Sequence, residues 1–110
     1  DAANAGKISF ERVVEVCATN VAKIFGCDNK GAIEVGKDAD LVIYDKDKDF
    51  TISVNNMHSD CDHTIWEGVS LHGYPVQTYV RGQLVYDNGE FVGQRGYGKF
   101  LKRTPRPKRA

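Results

Sequence analysis

Seven apolar residues at helical spacing constrain this chain more than any other feature. Phe10, Val13, Val14, Cys17, Val21, Ile24 and Phe25 fall at the i, i+3, i+4, i+7 intervals that put one apolar stripe along a helix. The spacing predicts a helix over residues 9–25. Ser9 stands where a side-chain N-cap is needed, and Glu11 lies in the first turn at the positive end of the dipole. Lys23 suits the last turn, and Gly26 supplies a left-handed stop. Cys17, inside the stripe, reads as a small buried hydrophobe. Such a stripe has to be covered, and a chain of 110 residues has little to cover it with.

After Gly26 the period changes to that of short strands. Residues 32–35 (Ala-Ile-Glu-Val) and 41–44 (Leu-Val-Ile-Tyr) are strand candidates separated by the turn Gly36-Lys37-Asp38, and residues 49–54 form a further candidate ended by Asn55-Asn56. The strongest strand signal lies later. Residues 76–80 and 83–86 flank Arg81-Gly82, a two-residue connection that predicts a β-hairpin. Asp87-Asn88-Gly89 then turns the chain into Glu90-Phe91-Val92, so residues 76–92 are expected to form a three-stranded meander. Gly93, Gly96 and Gly98 mark a loop, Phe100-Leu101 an apolar anchor, and Thr104-Pro105-Arg106-Pro107 a segment that continues neither a helix nor a central strand. One helix followed by short strands makes an α+β fragment whose stripe packs on something outside the chain.

Composition excludes several classes. No apolar run approaches the length that spans a bilayer, so no membrane partner is expected. Three cysteines without repeated spacing are not a disulfide framework and fit a reducing, cytoplasmic setting. The formal charge of zero hides an asymmetry: all 15 acidic residues lie at or before Glu90, whereas Lys99, Lys102, Arg103, Arg106, Lys108 and Arg109 crowd the end. The basic tail lacks the interleaved aromatic residues of a nucleic-acid platform. It reads as a solvated arm, or one lying on an acidic surface, and no nucleic acid is expected as partner.

No candidate for chemistry survives comparison with a plainer reading. The run His58-Ser59-Asp60-Cys61-Asp62-His63 offers N, S and O ligands, but its spacing matches no zinc pattern and a polar loop explains it. Asp45, Asp47 and Asp49 alternate as at the start of a calcium loop; Phe50 and Asn56 then occupy the positions that need Gly and Glu, leaving a solvated turn between two strands. The glycines of residues 93–98 follow a strand and open no helix, so they cradle no phosphate. Cys27 and Cys61 have no evident base, and His72, Trp66 and Tyr79 read as structural residues. No catalytic, metal-binding or substrate-binding residue is assigned.

Three stretches carry a resemblance. Gly6-Lys7-Ile8-Ser9-Phe10-Glu11-Arg12 with residues 18–26, and then residues 31–45 (GAIEVGKDADLVIYD), resemble the late part of many amidohydrolases. His58-Ser59, Trp66-Glu67-Gly68, Gly73-Tyr74-Pro75-Val76, Val80-Arg81-Gly82, residues 88–93 (NGEFVG) and residues 98–103 (GKFLKR) narrow this. Together they are similar to the C-terminal segment of the dihydropyrimidinase and D-hydantoinase family of cyclic amidohydrolases. Cys61-Asp62-His63 departs from the Val-Asp-Tyr-like run common there.

The resemblance implies a fold and an activity. The helix would be a late outer helix of a (β/α)8 barrel, the later strands part of a flanking β-sandwich, and the meander its C-terminal end. Residues 1–27 would then belong to the barrel region, 28–98 to the sandwich and 99–110 to a basic tail. The parent is expected to be an enzyme of pyrimidine degradation that opens dihydropyrimidines or hydantoins to N-carbamoyl amino acids with two divalent metals, usually zinc. The family's ligands are a His-x-His pair, a bridging carboxylated lysine, two more histidines and an aspartate, and nothing here maps onto them, so this segment is expected to bind no metal and to be inactive alone. Its implied partners are the remainder of the same protein, a small cyclic amide, and other copies in a homotetramer, with Lys99, Phe100, Leu101, Lys102 and Arg103 as the expected interface. Two alternatives stay open: a segment of a non-enzymatic dihydropyrimidinase-related scaffold, and a stand-alone module binding a polyanion through its tail.

Overall fold

A computed structural model of the chain describes residues 2–104. The basic residues Arg106, Lys108 and Arg109 of the expected tail lie outside the described residues. The helix forms where the stripe places it. It begins as α1 (Phe10–Val14), passes through a π-helical turn (Glu15–Thr19) and ends as α2 (Asn20–Phe25). The Ser9 side chain caps it by accepting from the Arg12 amide, and Gly26 closes it at φ 68°. The wide turn shifts the register of the stripe by part of a turn between its two halves.

The sheet is a four-stranded antiparallel meander in the order β1-β2-β3-β4, built from β1 (Leu41–Thr51), β2 (Ser70–Val80), β3 (Gln83–Asp87) and β4 (Glu90–Phe91). Both tight turns have paired left-handed residues. Arg81 (φ 46°) precedes Gly82 (φ 79°), and Asn88 (φ 47°) precedes Gly89 (φ 106°), the mirror-image turn geometry that suits the twist of a hairpin. The expected hairpin and meander are therefore present.

Three local expectations are corrected. Residues 32–35 form no strand: they lie between Gly31 (φ 82°) and Gly36 (φ 94°), where the chain turns, and the Lys37 amide donates to the Glu34 carbonyl. The run Asp45–Asp49 is not a turn between strands. It is a bulge inside one strand, since Asp45 pairs with Tyr74 and Asp49 with His72, so β1 carries two more residues than β2 across that interval. The extra residues are charged and solvated, and the Asp47 amide donates to Asp45 Oδ1 at 3.0 Å. Cys17 is exposed here, because the stripe it belongs to has little cover among the described residues.

That lack of cover is general. Ala22, at 8% exposure, is the one buried apolar side chain among the described residues. Phe10, Val14, Val21, Ile24 and Phe25 of the stripe are exposed, and so are Ile33, Val35, Trp66 and Phe100. Full burial of a side chain of this size is worth about 1.5–3 kcal/mol. The helix and the sheet meet mainly through the loops between them, and among ring contacts Phe10 reaches Tyr44 of β1 at 6.3 Å. Tyr44 in turn lies over Gly73 of β2, where a Cβ would fall 2.3 Å from the phenol oxygen. Among the described residues no helix is long and apolar enough to cross a membrane.

The end of the described chain returns to the start. The Thr104 amide donates to the Gly26 carbonyl at 2.8 Å, and a Cβ on Gly26 would fall 2.0 Å from the Thr104 carbonyl oxygen. Gly82 has the same left-handed backbone but open space around it. In chemical unfolding, Gly82→Ala is expected to cost about 1 kcal/mol, the left-handed penalty alone. Gly26→Ala is expected to cost about 2–4 kcal/mol, because overpacking is added to that penalty. Equal costs would show that Thr104 does not lie over the helix end.

Candidate functional site

The best-formed polar cluster joins the helix side of the chain to the sheet. It begins where the loop after the helix folds back on α2: the Thr19 hydroxyl donates to the Gly31 carbonyl at 2.7 Å, and a Cβ on Gly31 would meet the Ala22 methyl at 2.6 Å. That close approach sets Lys30 beside two carboxylates. Its Nζ lies 2.8 Å from Asp38 Oδ2 and also hydrogen-bonds Asp40 Oδ2. The Asp40 amide donates to the Asp38 carbonyl at 2.8 Å, a tight three-residue turn about Ala39 that keeps both carboxylates within reach of the one ammonium. Asp40 Oδ1 accepts the Arg81 amide at 2.8 Å, and the Ala39 carbonyl accepts the Gly82 amide at 2.9 Å. The turn of the β2–β3 hairpin is thereby tied to the loop. Arg81 continues the chain of contacts: its guanidinium lies 4.2 Å from the centre of the Tyr97 ring and donates to the Tyr97 carbonyl.

The electrostatics follow from this geometry. Partial burial opposes the charge on both Lys30 and Asp40, but the hydrogen bonds between them outweigh it. Lys30 is held above its ordinary value, and Asp40, which also accepts from the Arg81 backbone, is held below the ordinary carboxylate range. The contribution of Asp40 is present above the unfolded carboxylate value and is lost as pH falls through the depressed one. That of Lys30 is lost only as pH rises through its raised value. The Lys30–Asp40 pair is therefore charged throughout the neutral range. Beside it, Lys30 lines a half-open pocket of about 190 Å³ together with Thr19, Ala22 and Gly31.

The residues weighed for chemistry are not brought together. His58 Nε2 lies 2.9 Å from the Gly89 carbonyl, and the His58 ring meets Tyr86 edge-on at 5.9 Å. His63 Nδ1 contacts its neighbour Asp62 at 2.8 Å, and His72 Nδ1 contacts Asp49 across the β1–β2 ladder at 2.8 Å. Cys17 and Cys61 are exposed and Cys27 half-buried, all as free thiols. Among the described residues no group of three His, Cys, Asp or Glu side chains could hold a metal ion. These residues do not fit the metal pair that the resemblance implies.

Lys99–Arg103 run as an irregular, exposed segment, with Phe100 at 95% exposure. Phe100–Thr104 and the helix-end residues Ile24 and Phe25 line an open groove. The sequence reading did not identify the Lys30 clasp, although two aspartates separated by a single alanine, with a lysine ten residues before the second, were a signal for it. Asp40→Asn is expected to remove about 1 kcal/mol at most from stability at neutral pH, since Asp38 and Asp40 remain substantially solvated. The difference from the unsubstituted protein should begin to shrink as pH falls below the ordinary carboxylate value and vanish only below the depressed value of Asp40. A pH-independent difference in unfolding midpoints would show that the Asp40 charge contributes nothing.

The amidohydrolase family model matches residues 3–86. A D-hydantoinase of Ralstonia pickettii is 42% identical over 101 residues, which are 91% of this chain and 22% of that protein. A dihydropyrimidinase of Rattus norvegicus is 44% identical over 103 residues, 93% of this chain and 20% of that one. The crystal structure of a dihydropyrimidinase from Brevibacillus agri superposes with a TM-score of 0.90 at 40% identity, covering 96% of this chain and 24% of that structure's. The chain thus spans about a fifth of the length of the relatives it matches. With the family model covering most of its length and the fold matching at high identity, the chain belongs to the amidohydrolase family, in a stretch shared with its hydantoinases and dihydropyrimidinases.

Proposed function

We propose that the chain is the C-terminal part of a metal-dependent cyclic amidase, one that adds water across the ring amide of a dihydropyrimidine or hydantoin to give an N-carbamoyl amino acid. The observation that carries this reading is a combination. A stretch with 91% of its length matched to a D-hydantoinase has a correctly capped helix whose apolar stripe lies open. Left uncovered, that stripe forfeits about 1.5–3 kcal/mol per large side chain, so the segment is built to be covered. In this reading residues 1–27 carry an outer helix of the catalytic barrel. Residues 28–98 are part of the flanking β-sandwich, and the two divalent metals, zinc in the usual case, belong to the remainder of the polypeptide. The segment's own work is structural: the Lys30 clasp fixes the sandwich hairpin to the loop that leaves the barrel helix.

Residues 99–110 form the basic tail of this reading, and Lys99, Phe100, Leu101, Lys102 and Arg103 lie at an interface between copies in a cytoplasmic homotetramer that serves pyrimidine degradation. The exposure of Phe100 between cationic residues supports this, since an apolar ring flanked by charge is economical only where another surface covers it. Phe100→Asp is expected to shift the oligomer towards smaller species in light scattering. An unchanged mass would remove residues 99–103 from the interface.

The activity is tested on the intact protein that carries this segment. Dihydrouracil and hydantoin should be opened to their N-carbamoyl products, with loss of activity on chelation and recovery on adding zinc. A folded, oligomeric protein that opens neither ring would favour the non-enzymatic scaffold instead.

A further inference from the structure

From the second hairpin turn we infer that Asn88–Gly89 is a site of spontaneous covalent modification, at which Asn88 loses its side-chain amide through a cyclic imide. Asn88 is the one asparagine of six that is followed by glycine; Asn4, Asn20, Asn29, Asn55 and Asn56 precede larger residues. Gly89 presents no Cβ to an approaching side chain, and both turn residues are exposed. Among the described residues no acceptor engages the Gly89 amide, so that nitrogen is not held in a ladder. The Asn88 side chain is already polarised from both ends: Nδ2 donates to Asp87 Oδ1 at 2.9 Å, and Lys48 Nζ, from the β1 bulge, makes a long contact of 3.4 Å with Oδ1.

The step balances without an outside oxidant or reductant. The Gly89 nitrogen, on giving up its proton to hydroxide, attacks Asn88 Cγ and forms the new N–C bond of a five-membered imide. The Cγ–Nδ2 bond then breaks, and Nδ2 leaves as ammonia with a proton returned from water. A second water opens the ring at either carbonyl, leaving an aspartyl or an isoaspartyl linkage. Negative charge develops on Oδ1 during the attack, where the Lys48 ammonium stands. The isoaspartyl product lengthens the main chain by one carbon inside a two-residue turn that needs φ 47° and 106°, so β4 and the His58–Gly89 contact would be released.

The test follows the tryptic peptide of residues 82–95 in the intact folded protein during incubation at mildly alkaline pH. Acid forms are expected at Asn88 before any other asparagine, with isoaspartyl product detectable by enzymatic methylation. Lys48→Gln should slow the conversion about twofold to fivefold, the reach of one screened charge. An unchanged rate in that variant would overturn the part given to Lys48. An Asn88 that stays intact in the folded protein yet converts in denaturant would overturn the site, because the left-handed turn would then be holding the side chain away from Gly89.

Discussion

The contact on which the arrangement depends is the clasp of Lys30 with Asp38 and Asp40. Helix and sheet share almost no apolar interface in this chain, and the loop between them carries the connection. The loop is anchored on the helix by the close approach of Gly31 to Ala22, and on the sheet by the Arg81 amide on Asp40. A pair of solvated ion pairs contributes little energy by itself. Its role is geometric: two donors, the Lys30 ammonium and the Arg81 amide, make three contacts with two carboxylates, which limits where the hairpin can stand relative to the helix.

Energy has to come from elsewhere. Ordering a residue costs about 1–2 kcal/mol of backbone entropy, and a single buried alanine among the described residues offsets very little of that. Backbone pairing joins each strand of the meander to the next, interrupted at the Asp45–Asp49 bulge, and the helix runs on through its π turn, so local structure is specified while the apolar faces stay uncovered among the described residues. A sheet with exposed Val42, Ile43 and Tyr44 and a helix with exposed Ile24 and Phe25 describe a surface made to be pressed against more protein. The same view accounts for the relatives, in which the matching stretch is about a fifth of a longer chain.

Several features were legible because their causes are local. The Ser9 cap, the Gly26 stop, and the Arg81-Gly82 and Asn88-Gly89 turns each depend on residues within a few positions, and the helix and hairpins formed where those residues stand. Other features escaped because their causes lie far along the chain. The β1 strand continues through Asp45–Asp49 only because β2 supplies partners on both sides of the bulge, and no local rule reveals that partner. Residues 32–35 have the composition of a strand, yet the glycines at 31 and 36 turn the chain on either side of them. Cys17 has the spacing of a core residue, and nothing among the described residues covers it.

By itself the sequence determined the helix with its caps, the three-stranded end of the sheet, and the family resemblance, because each is written in spacing and turn chemistry over short intervals. Tertiary structure alone decided that Lys30 meets both aspartates, that Arg81 lies over Tyr97, and that Thr104 returns to Gly26. Those contacts join residues 8 to 78 positions apart, and closing such separations depends on the path of the whole chain, which short-range propensity does not encode.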